Sequence, residues 1–135
     1  MIIHRSVDIE EEIRKALCEY VTVYCRPLPT DYTLPNILIT QVGGSDKNTI
    51  DTFEVVLDAR AEREAQAMDL LFFSVAILRS VALEQTTAIR YVTVNTSGSW
   101  GVDPVRPDLA MCSARISVVA HQKQEEVQVN GNTGS

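Results

Sequence analysis

The stretch Ala61-Glu62-Arg63-Glu64-Ala65-Gln66-Ala67-Met68-Asp69-Leu70-Leu71-Phe72-Phe73-Ser74-Val75-Ala76-Ile77-Leu78-Arg79-Ser80-Val81-Ala82-Leu83 contains neither glycine nor proline. Strong helix formers dominate it, which predicts a helix of roughly six turns, about 33 Å long at 1.5 Å per residue. Ala65, Met68, Leu71, Phe72, Val75 and Ala82 mark one apolar stripe, and Leu70, Phe73, Ile77 and Val81 mark a second on another side. A helix apolar over most of its circumference needs cover from more than one direction, such as a sheet on one side and a helix or second subunit on the other. The Leu70, Phe73, Ile77 and Val81 stripe is therefore the candidate subunit-packing face, unless another helix of the same chain covers it. The apolar run Leu70–Leu78 is closed by Asp69 and Arg79 and falls short of the ~20 residues a bilayer requires, so it reads as a core helix and not a membrane anchor.

Upstream, Ser6 followed by Glu10, Glu11 and Glu12 sets a capping hydroxyl and a run of acids where a helix start favours them. Ile9, Ile13, Leu17 and then Tyr20 or Val21 recur at helical spacing. Val21-Thr22-Val23-Tyr24-Cys25 changes to extended chain, stopped by Pro27 and Pro29, and a loop is expected as far as Pro35. Ile37–Val42 and Phe53–Leu57 read as an antiparallel hairpin, with Gly43-Gly44-Ser45-Asp46-Lys47 as its connection. Downstream, Ile89–Val94 and Ala114–Ala120 read as a second hairpin. The long connection between them runs from Asn95 to about Leu109 and holds Gly98, Gly101, Pro104, Pro107 and the single tryptophan, Trp100. Trp100 either folds back on its own core or anchors a partner surface. Residues 122–135 are too polar to bury and read as a flexible tail, leaving residues 1–121 as one domain.

These elements predict an α+β fold, with a mixed, mainly antiparallel β-sheet of about four to five strands packed against two helices, one long. The chain has 135 residues, 45% of them apolar and 22% charged, enough for one core and too few for two ordinary domains. Its formal charge of −6 and its scattered lysines and arginines argue against a surface built to neutralise phosphates. Three cysteines, Cys18, Cys25 and Cys112, leave at least one thiol unpaired, and no secretory signal opens the sequence, which points to synthesis in the cytosol.

No constellation in the sequence points to catalysis, a cofactor or a metal. His4 and His121 form no zinc spacing, and Cys18 and Cys25 are not a CxxC pair. Asp51 and Asp58 could in principle share acid-base work, but an acidic chain offers many such pairs. Gly43–Lys47 lacks the spacing of a phosphate loop, and Ser97-Gly98-Ser99-Trp100-Gly101 is not a nucleophile elbow.

Taken together, the order of elements resembles the tail terminator family of long-tailed bacteriophages over about Asp8 to His121. The resemblance is carried by Leu38–Gly44 followed by Asp51–Ala59, by the alanine- and acid-rich opening Ala61–Ala67, and by Trp100 with Asp103-Pro104 ahead of Ala114–Val118. It implies a non-enzymatic virion protein, made in the host bacterial cytoplasm and located at the head–tail junction. There a ring, usually of six subunits, caps the tail tube, ends its polymerisation and presents the head-joining surface. Its partners would be copies of itself, the tail tube protein and a head-completion or connector protein. Double-stranded DNA would be only passing cargo, and no membrane would be involved. The Gly43, Gly44, Ser45, Asp46, Lys47 segment and the Gly98, Ser99, Trp100, Gly101, Val102, Asp103 segment are the candidate partner-contact loops. Competing readings are a head-completion or stopper protein of the neck, a small hydrolase using scattered carboxylates, and a monomeric ligand-binding module.

Overall fold

The computed structural model describes residues 1–130. Its elements are β1 (Ile2–Arg5), α1 (Ile9–Leu17), β2 (Val23–Cys25), β3 (Asn36–Lys47), β4 (Ile50–Ala61), α2 (Glu64–Glu84), β5 (Ile89–Val102), β6 (Ala110–His121) and β7 (Lys123–Glu126). The main sheet has the order β2-β3-β4-β6-β5, antiparallel throughout except for the parallel β2–β3 pair. The predicted α+β class, with one long helix and a mainly antiparallel sheet, is what the chain adopts.

The core follows from strand alternation. Phe53, Val55, Leu57 and Ala59 of β4 and Cys112, Ala114, Ile116 and Val118 of β6 turn one way and are buried together with Ile9, Ile13 and Leu17 of α1. On α2 the buried residues are Ala67, Leu70, Leu71, Ser74, Val75, Leu78 and Ala82, a single face at 100° per residue. Ser74 is accommodated there because its hydroxyl donates to the Leu70 carbonyl at 2.8 Å. The two stripes expected for this helix therefore need redrawing. Leu70 belongs to the chain's own core, Ile77 packs partly against it, Val81 is partly covered, and Phe73 and Phe72 are left half-exposed. By length and composition α2 is the one described helix that could cross a membrane, a weak signal for a helix whose buried face lies on a sheet.

Several boundaries differ from expectation. The cap of α1 is Asp8, whose carboxylate accepts from the Glu11 amide at 3.3 Å, and not Ser6. Gly43–Lys47 is no turn: β3 runs through it, a bulge between Gln41 and Gly43 absorbs one residue, and the reversal falls at Asn48-Thr49. Asn48 supplies the positive φ of 60°, a conformation asparagine tolerates better than most residues. The Asn95–Leu109 connection is likewise shorter than expected. β5 continues to Val102, with bulges between Val94 and Thr96 and between Thr96 and Ser99, so only residues 103–109 link it to β6. Finally, part of the polar tail is ordered: Lys123–Glu126 pairs antiparallel with Ile2–Arg5, helped by an ion pair of Arg5 with Glu125 at 3.1 Å. Residues 131–135 of the expected tail lie outside the described residues.

Candidate functional site

β5 is the last strand of the main sheet, so one side of its backbone has no strand partner among the described residues. α2 crosses the sheet beside it, and the space between them forms two adjoining depressions. The larger, about 620 Å³, is lined by Phe72, Val75, Ala76, Arg79, Ser80, Leu83, Val94 and Ser97. The smaller, about 290 Å³, shares Arg79 and Leu83 and adds Ala82, Arg90, Tyr91 and Val92. Phe72 is 50% exposed and Leu83 83% exposed, because both lie on the side of the helix turned away from its buried face. Tyr91, Trp100, Val102 and Val105 are further exposed apolar side chains on β5 and the start of its following loop. Apolar side chains grouped beside an open strand edge mark an interaction surface more strongly than the same residues scattered singly.

The structure separates the two segments expected to contact partners. Gly43–Lys47 lies on β3 and Gly98–Val102 on β5, with β4 and β6 between them. Gly44 is constrained by a close approach: a Cβ there would stand 3.0 Å from the Thr52 carbonyl oxygen. Gly98 adopts a φ of +72° within the Thr96–Ser99 bulge of β5, a region costly for other residues. Trp100 is 45% exposed on β5 opposite Cys112, and its inner side borders a hollow shared with Glu62, Glu64 and Pro107.

Asp103, expected among the partner contacts, is turned inward. It is buried, accepts from Arg60 Nε at 2.6 Å, and accepts from the Val105 and Arg106 amides at 2.9 and 3.1 Å. Burial pushes its carboxyl upward, but the bond from Arg60 and the two amides together outweigh that and hold it below the usual carboxylate value. Its work is to tie the 103–109 loop to the sheet.

On the face of the sheet away from the helices, Glu54 accepts from Ser117 Oγ at 2.7 Å and from Asn95 Nδ2 at 3.1 Å, and Ser113 donates to Asp58. Asp58 thus belongs to a polar face, whereas Asp51 lies on the helix side of β4 and is held by Gln122 Nε2 at 3.0 Å. Strand alternation places two residues seven apart on opposite faces, so these two carboxylates do not form an acid-base pair. Among the described residues, no group of three or more His, Cys, Asp or Glu side chains stands close enough to hold a metal ion. Burial raises the Cys112 thiol, and burial with Glu10 and Glu11 nearby raises Cys25.

The sequence reading missed the open edge, because edge status is set by strand order and not by composition. It also missed Phe72 and Leu83 as surface residues, although the full helical wheel places both about 100–140° away from Leu71 and Leu78. Searches against family models and curated proteins find no match to this chain.

Proposed function

We propose that this chain is a structural, non-enzymatic protein that works by assembling with copies of itself into a ring of the tail terminator type. The observation that carries self-assembly is the apolar groove of Phe72, Ala76 and Leu83 alongside the unpaired edge of β5. A second copy would remove both the apolar surface and the open backbone edge from water, and a head-to-tail contact repeated around an axis closes into a ring. The assignment to a bacteriophage tail rests on the resemblance of the Leu38–Ala59, Ala61–Ala67 and Trp100–Val118 stretches. In that role six subunits cap the tail tube at the head–tail junction of the virion, stop its polymerisation and receive the head. DNA passes through without being gripped, in keeping with the net charge of −6.

The test is molar mass by light scattering across concentration, with and without purified tail tubes, followed by negative-stain imaging. Rings of about six chains that sit on one end of each tube support the proposal. A chain that stays monomeric and leaves tube ends bare overturns it, and rings that bind heads and ignore tubes move the assignment to a head-completion protein of the neck.

A further inference from the structure

We propose that the subunit contact is a strand-to-strand junction in which the free edge of β5 pairs antiparallel with the free edge of β3 in a second copy. This inference deepens the self-assembly reading and rests on it. The main sheet is open at both ends. At one end β5 has no outer strand among the described residues, and its fourteen residues contain no lysine or proline and a single charge, Arg90. Natural edge strands are commonly guarded by such residues, and the bulges around Gly98 bend β5 without covering it. At the other end β2 covers only Ile37–Ile39 of β3. Beyond it the Gln41 amide is taken by the Glu10 carboxylate at 3.0 Å, which leaves Val42–Lys47 with no strand paired to its outer side among the described residues.

The strand directions make these two edges compatible. β3 and β6 run one way, β4 and β5 the other. A copy set beside the first with its strands aligned therefore presents its β3 antiparallel to β5, the stronger pairing sense. β2 fixes the stagger. It occupies the lane next to β3 as far as Ile39, so an incoming β5 has to end above it, and β5 ends at Val102 where Asp103 is tied to Arg60. Placing Val102 just beyond that step brings Trp100 and Val42 within about one residue of each other, and Ser97 equally close to Ser45. Trp100 and Val42 are 45% and 46% exposed in the single chain, and an aromatic beside a β-branched residue is a favourable cross-strand pair. The occupant is a second copy because one chain carries both complementary edges, and such a contact is head-to-tail by construction.

The experiment uses the full chain with Cys18→Ser and Cys25→Ser, carrying either Ser45→Cys or Ser97→Cys; both serines are exposed, so neither change strains the core. Under conditions where light scattering shows assembly, a short bismaleimide should join the mixed variants into covalent dimers. Either variant alone should give at least tenfold less, and a chain carrying both cysteines should give a ladder. Assembly without mixed cross-links would overturn the junction while leaving the ring reading intact, and preferential linking of Ser45→Cys to itself would replace it with a two-fold contact. Absence of assembly even on tubes would remove both readings together. Trp100→Lys provides a second check: assembly should weaken by tenfold or more with the thermal midpoint of the monomer little changed, and unchanged assembly counts against the proposal.

Discussion

Arg60 Nε donates to Asp103 Oδ2 at 2.6 Å with both side chains almost fully buried, and this pair joins β4 to the loop that follows β5. Removing one member of a buried ion pair leaves the other charge without compensation, at a cost of about 3–5 kcal/mol. Asp103→Ala should destabilise by that amount in urea unfolding, with a further loss from the freed Val105 and Arg106 amides. Replacing both members, Arg60→Met with Asp103→Asn, should cost less than the sum of the single changes, because neither charge is then stranded.

The same pair makes stability depend on pH. Asp103 is held below its ordinary value of 3.8, so the folded chain binds this proton more weakly than the unfolded chain. Its contribution is complete above the ordinary carboxylate range and is lost as pH falls through the depressed folded value. The gap in unfolding free energy between the natural chain and Asp103→Asn should be flat from neutral pH down to about 5 and should narrow below about 4. A gap that widens on acidification would contradict the assignment.

Among the described residues, two hold positive φ without being glycine, Asn48 at 60° in the β3–β4 turn and Gln85 at 55° at the C-terminus of α2. A glycine ends a helix in this conformation at no steric cost. Gln85→Gly should therefore stabilise the chain by about 0.5–1 kcal/mol, read as a higher urea midpoint at unchanged slope. Asn48→Ala should act in the opposite direction by a similar amount.

The three thiols should react in the order of their exposure. Cys18 is exposed, Cys25 partly covered and Cys112 buried, and burial raises the last two, which lowers their thiolate fraction. With a thiol reagent at pH 8, one equivalent should be consumed quickly and a second slowly, with the third appearing only in denaturant.

What the sequence made legible was whatever rests on local composition. The 61–83 stretch reads as a helix because it lacks breakers, and the strand cores Ile37–Val42, Phe53–Leu57 and Ala114–Ala120 read as strands because most of their apolar residues are β-branched or aromatic. The errors came where glycine has two meanings. Gly43 and Gly44 suggested a turn, but they follow a bulge inside β3, and the turn belongs to Asn48. Gly98 and Gly101 suggested a loop, although they lie on the bulged half of β5. β7 was hidden for a different reason: Lys123–Glu126 is polar on both sides and is ordered by pairing with Ile2–Arg5, a partner at the other end of the chain. The Arg60–Asp103 pair and the open edge of β5 depend on strand order, which no local pattern encodes.

The helix side of the proposed interface can be separated from the core by substitution. Leu83 is 83% exposed and Phe72 50% exposed, whereas Leu71 is fully buried. Leu83→Glu leaves no cavity and buries no charge in the single chain, so its unfolding free energy should stay within about 0.5 kcal/mol of the natural value. Leu71→Ala should cost about 2–5 kcal/mol, since it opens a void between α2 and the sheet. Self-association should respond in the reverse order. If the Phe72–Leu83 groove is covered by a neighbour, a carboxylate placed there has to be desolvated with Arg79 offsetting only part of the cost, and assembly measured by light scattering should weaken by at least tenfold, about 1.4 kcal/mol. Leu71→Ala, tested below its unfolding transition, should assemble nearly as the natural chain does. A Leu83→Glu chain that assembles undiminished would show that the groove faces solvent in the oligomer, and the contact would then have to lie on the strand edges alone.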